Sequence, residues 1–210
     1  MSRTPLVVPI DLIGACPIPR RGRWAKRLLD LLVAVPLLVL VAPLLGVLSA
    51  LIRLESNGPA LFRQTRFGQG GRLFALYKLR TMVAESELPS GGPHKVRRDP
   101  RVTRLGGVLR RTSIDELPQL WNVVRGDVSL VGPRPELPEF AFAHYEPRTW
   151  RRLAVPPGLT GKWQVEGRHL QPMYAHPEHD LAYVASWSFA TDLALILRTP
   201  WAVLRGRGAY

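Results

Sequence analysis

Between Leu31 and Ile52 the chain runs 22 residues without a charged side chain. A straight helix of that length reaches about 33 Å, enough to cross the hydrocarbon core of a bilayer. The run is too long and too far from the start for a cleaved signal peptide, and no small-residue cleavage pattern closes it. Pro36 and Pro43 lie inside it. Each lacks a backbone donor and clashes with the preceding turn, so each is a point where a helix can bend. Positive charge flanks both ends: Arg20, Arg21, Arg23, Lys26 and Arg27 precede the run, and Arg53, Arg63, Arg66, Arg72 and Lys78 follow it. Because Lys and Arg collect on the cytoplasmic side of membranes, both clusters satisfy that bias only if the segment enters, breaks and returns to the same face. A spanning helix, which tolerates proline, is the alternative and would export one cluster. The expected organisation is a loose basic leader over 1–25, a re-entrant helix-break-helix segment over 26–54 and one domain over 55–210. Asp30, at the lip of the run beside Lys26 and Arg27, reads as a solvated boundary charge.

The 210 residues suffice for one domain with a real core. Their net charge of +13, from 29 Lys and Arg against 16 Asp and Glu, gives a surface that seeks anions: nucleic acid, lipid headgroups or phosphorylated substrates. A single cysteine, Cys16, precludes an intrachain disulfide, and nothing requires an oxidising compartment.

The rest of the chain predicts an α+β fold, helix-rich with one small β-hairpin. Leu61 to Met82 reads as two strands, LFRQTRF and LFALYKLRT, joined by GQGG at Gly68 to Gly71. Period-two alternation sets Lys78 and Arg80 on one face, away from Tyr77 and Leu79, an arrangement suited to a ligand phosphate or to a solvated basic face. Glu85 to Pro100 is a Pro-, Gly- and charge-rich surface loop. Leu105, Val108 and Leu109 have helical spacing. Leu181 to Leu204 is apolar at helical intervals, with Pro200 dividing it and Trp187 and Trp201 suited to a membrane interface or to core packing.

Arg110 to Pro135, RRTSIDELPQLWNVVRGDVSLVGPRP, sets the adjacent acids Asp115 and Glu116 among Arg110, Arg111, Arg125 and Arg134. Guanidinium groups hold phosphoryl oxygens bidentately, and a carboxylate beside them can serve as nucleophile or as a hard oxygen ligand for magnesium. Ser113 to Glu116 also matches a capping box. That register would put Pro118 where its missing N–H costs a bond, so an N-cap at Asp115 is preferred, with the helix dipole favouring the ionised acid. Pro133 and Pro135 stiffen the backbone around Arg134, which then loses less entropy on gripping a phosphate.

These residues stand in an ordered series of motifs from about Lys26 to Tyr210: the KR pair with Asp30, the proline-bearing apolar run, GPALFRQTRFG, FALYKLRTM, DPRVTRLGGVLRRTSIDELPQLWNVVRGDVSLVGPRP, PPGLTGKWQVEGRH and HDLAYVASWSFATDLALILRT. In this the chain resembles the bacterial monotopic phosphoglycosyl transferases, or polyprenyl-phosphate sugar-phosphate transferases, in their minimal form. The resemblance implies that Asp115 attacks the sugar-bearing phosphate of a nucleoside diphosphate sugar, usually a UDP-sugar, and expels UMP. Polyprenol phosphate then takes the phosphosugar from the enzyme. It implies Mg2+ as cofactor, with Asp115 and Glu116 as its ligands, and Lys78, Arg110 and Arg134 as phosphate contacts. Arg168 and Asp180 match positions used for substrate binding or site architecture. Anionic membrane lipids are implied partners, nucleic acid is not, a homodimer stays open, and the location is the cytoplasmic face of the bacterial inner membrane. Ala42 before Pro43 departs from the Ser common in such families, and Lys162 stands where relatives tend to be apolar.

Two rival readings are a phosphotransferase using two metals without a covalent intermediate, and a basic membrane-associated nucleic-acid-binding protein. The second leaves Asp115 and Glu116 unexplained, since they repel phosphate unless a cation intervenes.

Overall fold

A computed structural model of the chain describes residues 8–83, 99–167 and 175–204. A short helix α1, Ile10–Ile13, leads into α2, Arg20–Glu55. An antiparallel hairpin follows, β1 Leu61–Phe67 and β2 Leu73–Leu79, in the register Leu61↔Leu79 to Phe67↔Leu73. Then come α3 Arg104–Thr112, α4 Gln119–Arg125, β3 Ser129–Val131, α5 Pro138–His144, β4 Gly158–Thr160, α6 Glu178–Ala185 and α7 Phe189–Leu204. The α+β character and the hairpin agree with the sequence, whereas the short parallel pair β3–β4 carries no sequence signal long enough to read. It closes through backbone contact: a Cβ on Gly158 would lie 2.0 Å from the Gly132 nitrogen, so only glycine allows the VGPRP and PPGLTG segments to approach.

The anchor helix differs from expectation in three ways. It starts at Arg20, and Ile13 and Ile18 before it are buried in the core, so this part of the leader is packed rather than loose. Pro36 and Pro43 both lie inside α2, so the helix continues through the two positions where a break is expected. Asp30 is buried rather than solvated: its Oδ1 accepts hydrogen bonds from the Ser129 hydroxyl at 2.9 Å and the Leu130 N–H at 2.8 Å. A buried carboxylate must be paired or hydrogen-bonded, and β3 supplies the donors.

The buried positions of α2, Lys26, Asp30, Ala34, Leu48 and Ile52, fall on one stripe at helical spacing. Lys26 donates to the Val131 carbonyl at 2.6 Å and pairs with Asp192 at 2.8 Å, while Asp192 also accepts from the Tyr183 hydroxyl and the Trp187 indole. This buried network ties α2 to β3, α6 and α7. Arg27 donates to the Val123 and Val124 carbonyls, covering the C-terminus of α4, where helix carbonyls lack intrahelical partners. At the other end Leu48 and Ile52 pack with Ala60, Leu79 and Leu109. Between and around these contacts α2 presents Leu32, Val39, Leu40, Val47 and Leu54 to the outside, 59–83% exposed. So large an apolar surface on a monomer calls for a nonaqueous neighbour.

The C-terminal apolar stretch is two helices, not one divided at Pro200: the chain breaks at Ser186–Ser188, and Pro200 lies inside α7. Trp187 packs against the core and against Gly22 of α2, while Trp201 is 60% exposed. Of the Glu85–Pro100 loop, only Asp99 and Pro100 lie within the described residues.

Candidate active site

The acid pair sits on a tight 3-10 turn, Ile114–Glu116, between α3 and α4. Ser113 makes the turn by adopting a left-handed conformation, φ 58°, unique among the described non-glycine residues. That conformation costs a residue with a Cβ about 1–2 kcal/mol, and such strain persists where the surroundings hold it in place. Asp115 therefore lies within the turn and does not cap α4, whose cap position is Pro118. No side-chain cap forms at Ser113 either, so neither expected register is present. The electrostatic consequence is reversed as well. Burial pushes the Asp115 carboxyl above its ordinary value, the adjacent Glu116 charge adds to this, and Lys78 and Arg110 oppose it.

Glu116 behaves differently. Its Oε1 takes Lys78 Nζ at 2.8 Å and Arg134 Nη2 at 3.3 Å. Burial alone would raise its carboxyl, but the Arg134 and Lys78 charges and their hydrogen bonds outweigh it and hold Glu116 far below the usual carboxylate range. Among the described residues no side chain forms a hydrogen bond or ion pair with the Asp115 carboxylate. Two neighbouring acids are thus differentiated: one is neutralised by two cations, the other is desolvated and left available.

Arg110, on the last turn of α3, is held by a hydrogen bond from its Nε to Thr81 Oγ1 at 2.8 Å. Thr81 is in turn pressed against α3, since a Cβ at Gly106 would meet its carbonyl at 2.2 Å. The Pro133–Arg134–Pro135 backbone is clamped from beneath: Arg152 donates to the Arg134 carbonyl at 2.8 Å and Arg66 to the Pro135 carbonyl at 3.1 Å. Arg152 is itself buried in an ion pair with Asp180 and bonded to the Tyr145 hydroxyl. Asp180 is therefore part of a chain, Asp180 to Arg152 to the Arg134 backbone, that positions one of the cations on Glu116.

The structure brings Lys78, Arg110 and Arg134 around Asp115 and Glu116, but it engages other predicted residues elsewhere. Arg80 binds the end of α2, with its Nη2 donating to the Ser56 carbonyl at 2.6 Å, the Ser56 hydroxyl at 2.9 Å and the Ile52 carbonyl at 3.3 Å. It shares a strand-face parity with Lys78, yet it satisfies helix carbonyls. Arg111 is exposed and folds back on α3, and Arg125 lies at the far end of α4 beside Asp127. Arg168 lies outside the described residues. Sequence reasoning missed Thr81, Arg152 and Asn122. Asn122, fully buried, accepts from the Tyr77 N–H and donates to the Ala75 carbonyl, docking α4 on β2 next to Lys78. A lone Asn inside the apolar run Leu120–Val124 was the available signal.

The donors suit a hard cation only in part. No group of three or more His, Cys, Asp or Glu side chains converges among the described residues. With Glu116 committed to Lys78 and Arg134, Asp115 is the available carboxylate, a set that fits Mg2+ held jointly by one carboxylate and substrate phosphates, and does not fit an all-protein cage.

A buried acid and its half-buried neighbour lie beside convergent cations on a domain that carries a long apolar helix, an arrangement chemically suited to a phosphorylated ligand. Residues 21–206 match the family described as bacterial sugar transferase. The chain is 45% identical over 206 residues to the UDP-glucose:undecaprenyl-phosphate glucose-1-phosphate transferase of Caulobacter vibrioides, covering 92% of this chain and 75% of the relative. It is 35% identical to the exopolysaccharide production protein ExoY of Rhizobium meliloti, covering 100% and 97%. It is 37% identical to the undecaprenyl-phosphate galactose phosphotransferase of Salmonella typhimurium, covering 91% of this chain but only 43% of that relative. The chain belongs to the bacterial sugar transferase family. It is an enzyme of the phosphoglycosyl transferase kind.

Proposed function

We propose that this enzyme transfers a sugar 1-phosphate from a nucleoside diphosphate sugar, a UDP-sugar, to polyprenol phosphate, in a membrane step of exopolysaccharide or other glycoconjugate assembly. The observation that carries the reading is the asymmetry of the acid pair. An Asp115 oxygen attacks the sugar-bearing phosphorus, the bond from that phosphorus to the bridging oxygen breaks, and UMP leaves. An oxygen of polyprenol phosphate then attacks the same phosphorus, the bond to Asp115 breaks, and polyprenyl-diphospho-sugar departs. Glu116, ionised throughout, holds Lys78 and Arg134 toward the phosphates, and Arg110 adds a third cation from the α3 side. Mg2+, bound by Asp115 and the donor diphosphate, would neutralise phosphate charge.

The relatives' names, with their undecaprenyl phosphate acceptors and UDP-glucose donor, support the substrate classes. Packing supports the membrane placement. Asp30 and Ile52 are 22 positions apart, about 33 Å along a straight helix, yet Asp30 is bonded to β3 and Ile52 to Arg80 of the same domain. This favours an α2 that dips into the cytoplasmic face of the inner membrane and keeps both flanks on one side.

The test is nucleoside monophosphate release from a panel of sugar nucleotides. One UDP-sugar is expected to give a burst of about one UMP per enzyme without acceptor and continuous turnover once polyprenol phosphate is added. Absence of a burst, with turnover only when both substrates are present, would point to direct transfer instead.

A pH profile gives an independent check. Asp115 must be ionised to attack, and its carboxyl is raised above the ordinary 3.8. Activity is therefore lost on acidification through a pH above that value, while Glu116 stays charged. Lys78→Met removes a cation that favours ionised Asp115, so at saturating donor the acid limb is expected to move to higher pH. An unmoved limb would dissociate it from Asp115.

A further inference from the structure

At the opposite end of α4 from the acid pair lies a cavity of about 250 Å3. Its walls include Arg23, Lys26, Arg27 and Asp30 of α2, Arg125 at the end of α4, and Ser129 of β3. None of the acid-pair cations lines it, and the seven residues of α4, about 10 Å of helix, separate the two places. The cavity is smaller than the ~300–1,000 Å3 that encloses a drug-sized ligand, so it suits a headgroup-sized anion and not a sugar nucleotide.

Charge and position agree on the ligand. The charged groups of the lining are four cations and one carboxylate. Behind them Asp192 pairs with Lys26, and Asp127 lies 3.3 Å from Arg125, so a positive excess remains even when these acids are counted. The features that oppose an anion are already covered. The terminal carbonyls of α4 at Val123 and Val124 take Arg27, and Asp30 Oδ1 takes the Ser129 hydroxyl and the Leu130 N–H. Arg23 makes no side-chain hydrogen bond or ion pair among the described residues, and the Arg125 side chain is 50% exposed, so two guanidiniums have donors to give. Arg23 and Arg27 stand one to two turns before the uncharged run that begins at Leu31, beside the exposed Trp24 and Leu28. That is the depth at which lipid phosphates lie when the run is in the bilayer.

We propose that this cavity is a second anion site, distinct from the acid pair, which takes the phosphate of a membrane lipid headgroup and seats the base of α2 at the headgroup plane. The recognised group is the phosphate ester of a lipid with net negative charge, since the cation-rich lining disfavours the quaternary ammonium of a choline headgroup, with Arg23 and Arg125 as its adjustable contacts and Lys26 and Arg27 as the fixed floor. Because α2 also holds β3 and α4, occupancy stabilises the folded domain as well as the anchor.

The test uses the full chain in a non-ionic detergent with three probes: short-chain phosphatidylglycerol below its micelle concentration, short-chain phosphatidylcholine and inorganic phosphate. Phosphatidylglycerol at about a hundred times its Kd is expected to raise Tm by about 5 °C, saturably. The choline lipid and inorganic phosphate should raise it by less than half as much. Arg23→Gln with Arg125→Gln is expected to abolish most of the shift. Arg23→Gln alone, at a side chain with no partner to lose among the described residues, should weaken phosphatidylglycerol binding at least about threefold, in line with the loss of one charged contact near a lipid surface. Equal shifts from inorganic phosphate would overturn the lipid as the source. Equal shifts from the choline lipid, or an undiminished shift in both variants, would overturn the site. Transferase turnover of Arg23→Gln at saturating substrate is expected within about twofold of wild type, which separates failure here from failure of the acid-pair mechanism.

Discussion

Asp115→Asn is expected to lower formation of lipid-linked sugar by about 10^4-fold or more, the scale on which enzymes lose rate when a covalent nucleophile is removed. The substitution is nearly isosteric, so the buried turn and the Ser113 conformation are kept while the attacking oxygen loses its charge. With a donor labelled in the sugar phosphate, wild-type protein should retain label after denaturation and the variant should not. Glu116→Gln is the instructive control. It leaves Lys78 and Arg134 without their shared carboxylate, so the phosphate-binding cations are misplaced, but the nucleophile remains. Its loss should be smaller, about 10^2- to 10^3-fold, as for removal of a single electrostatic stabiliser, with label still trapped slowly. Turnover of Asp115→Asn within tenfold of wild type, or label surviving in it, would overturn the covalent mechanism.

Arg152→Met is expected to destabilise the protein by about 3–5 kcal/mol, because removal of one member of a buried pair leaves the other uncompensated. Asp180 is 2% exposed and pairs with Arg152, and the same guanidinium supports the Arg134 carbonyl and the Tyr145 hydroxyl. For a domain of this size the loss lowers Tm by roughly 10 °C. Burial already pushes the Asp180 carboxyl up, so in the variant Asp180 is expected to take up a proton, and the deficit should shrink at acid pH. Arg152→Met with Asp180→Leu should recover stability, since apolar replacement of a whole buried pair is often neutral or better. It should not recover full activity, because the Arg134 backbone still lacks its donor. A fully active double variant would remove Arg152 from the positioning of Arg134.

Local pattern carried much of the architecture. Two β-rich runs around GQGG form the hairpin in register, because a short turn and strand alternation suffice to define it. The uncharged run Leu31–Ile52 forms a helix, since twenty-odd apolar residues have no other stable solution at a membrane. The acid pair and its cations Lys78, Arg110 and Arg134 were legible as a group, because opposite charges concentrated in the run Arg110–Pro135 and on the neighbouring hairpin meet once the hairpin forms. Details set by distant partners were not legible. Arg80 and Lys78 look equivalent on strand parity, but one meets the end of α2 and the other meets Glu116. Asp30 looks like a surface charge until β3 comes to lie against it.

From its own order of residues the chain determined that it would carry a long apolar helix, a hairpin and an acid pair set among cations, for these follow from composition, period and short-range chemistry. Tertiary structure alone decided which of the two adjacent acids is paired with cations. Glu116 faces Lys78 and Arg134, cations 38 and 18 residues away in the chain, and Asp115 does not. The difference is one of desolvation and Coulomb contact with groups brought together by folding, so no reading of neighbours along the chain could assign it.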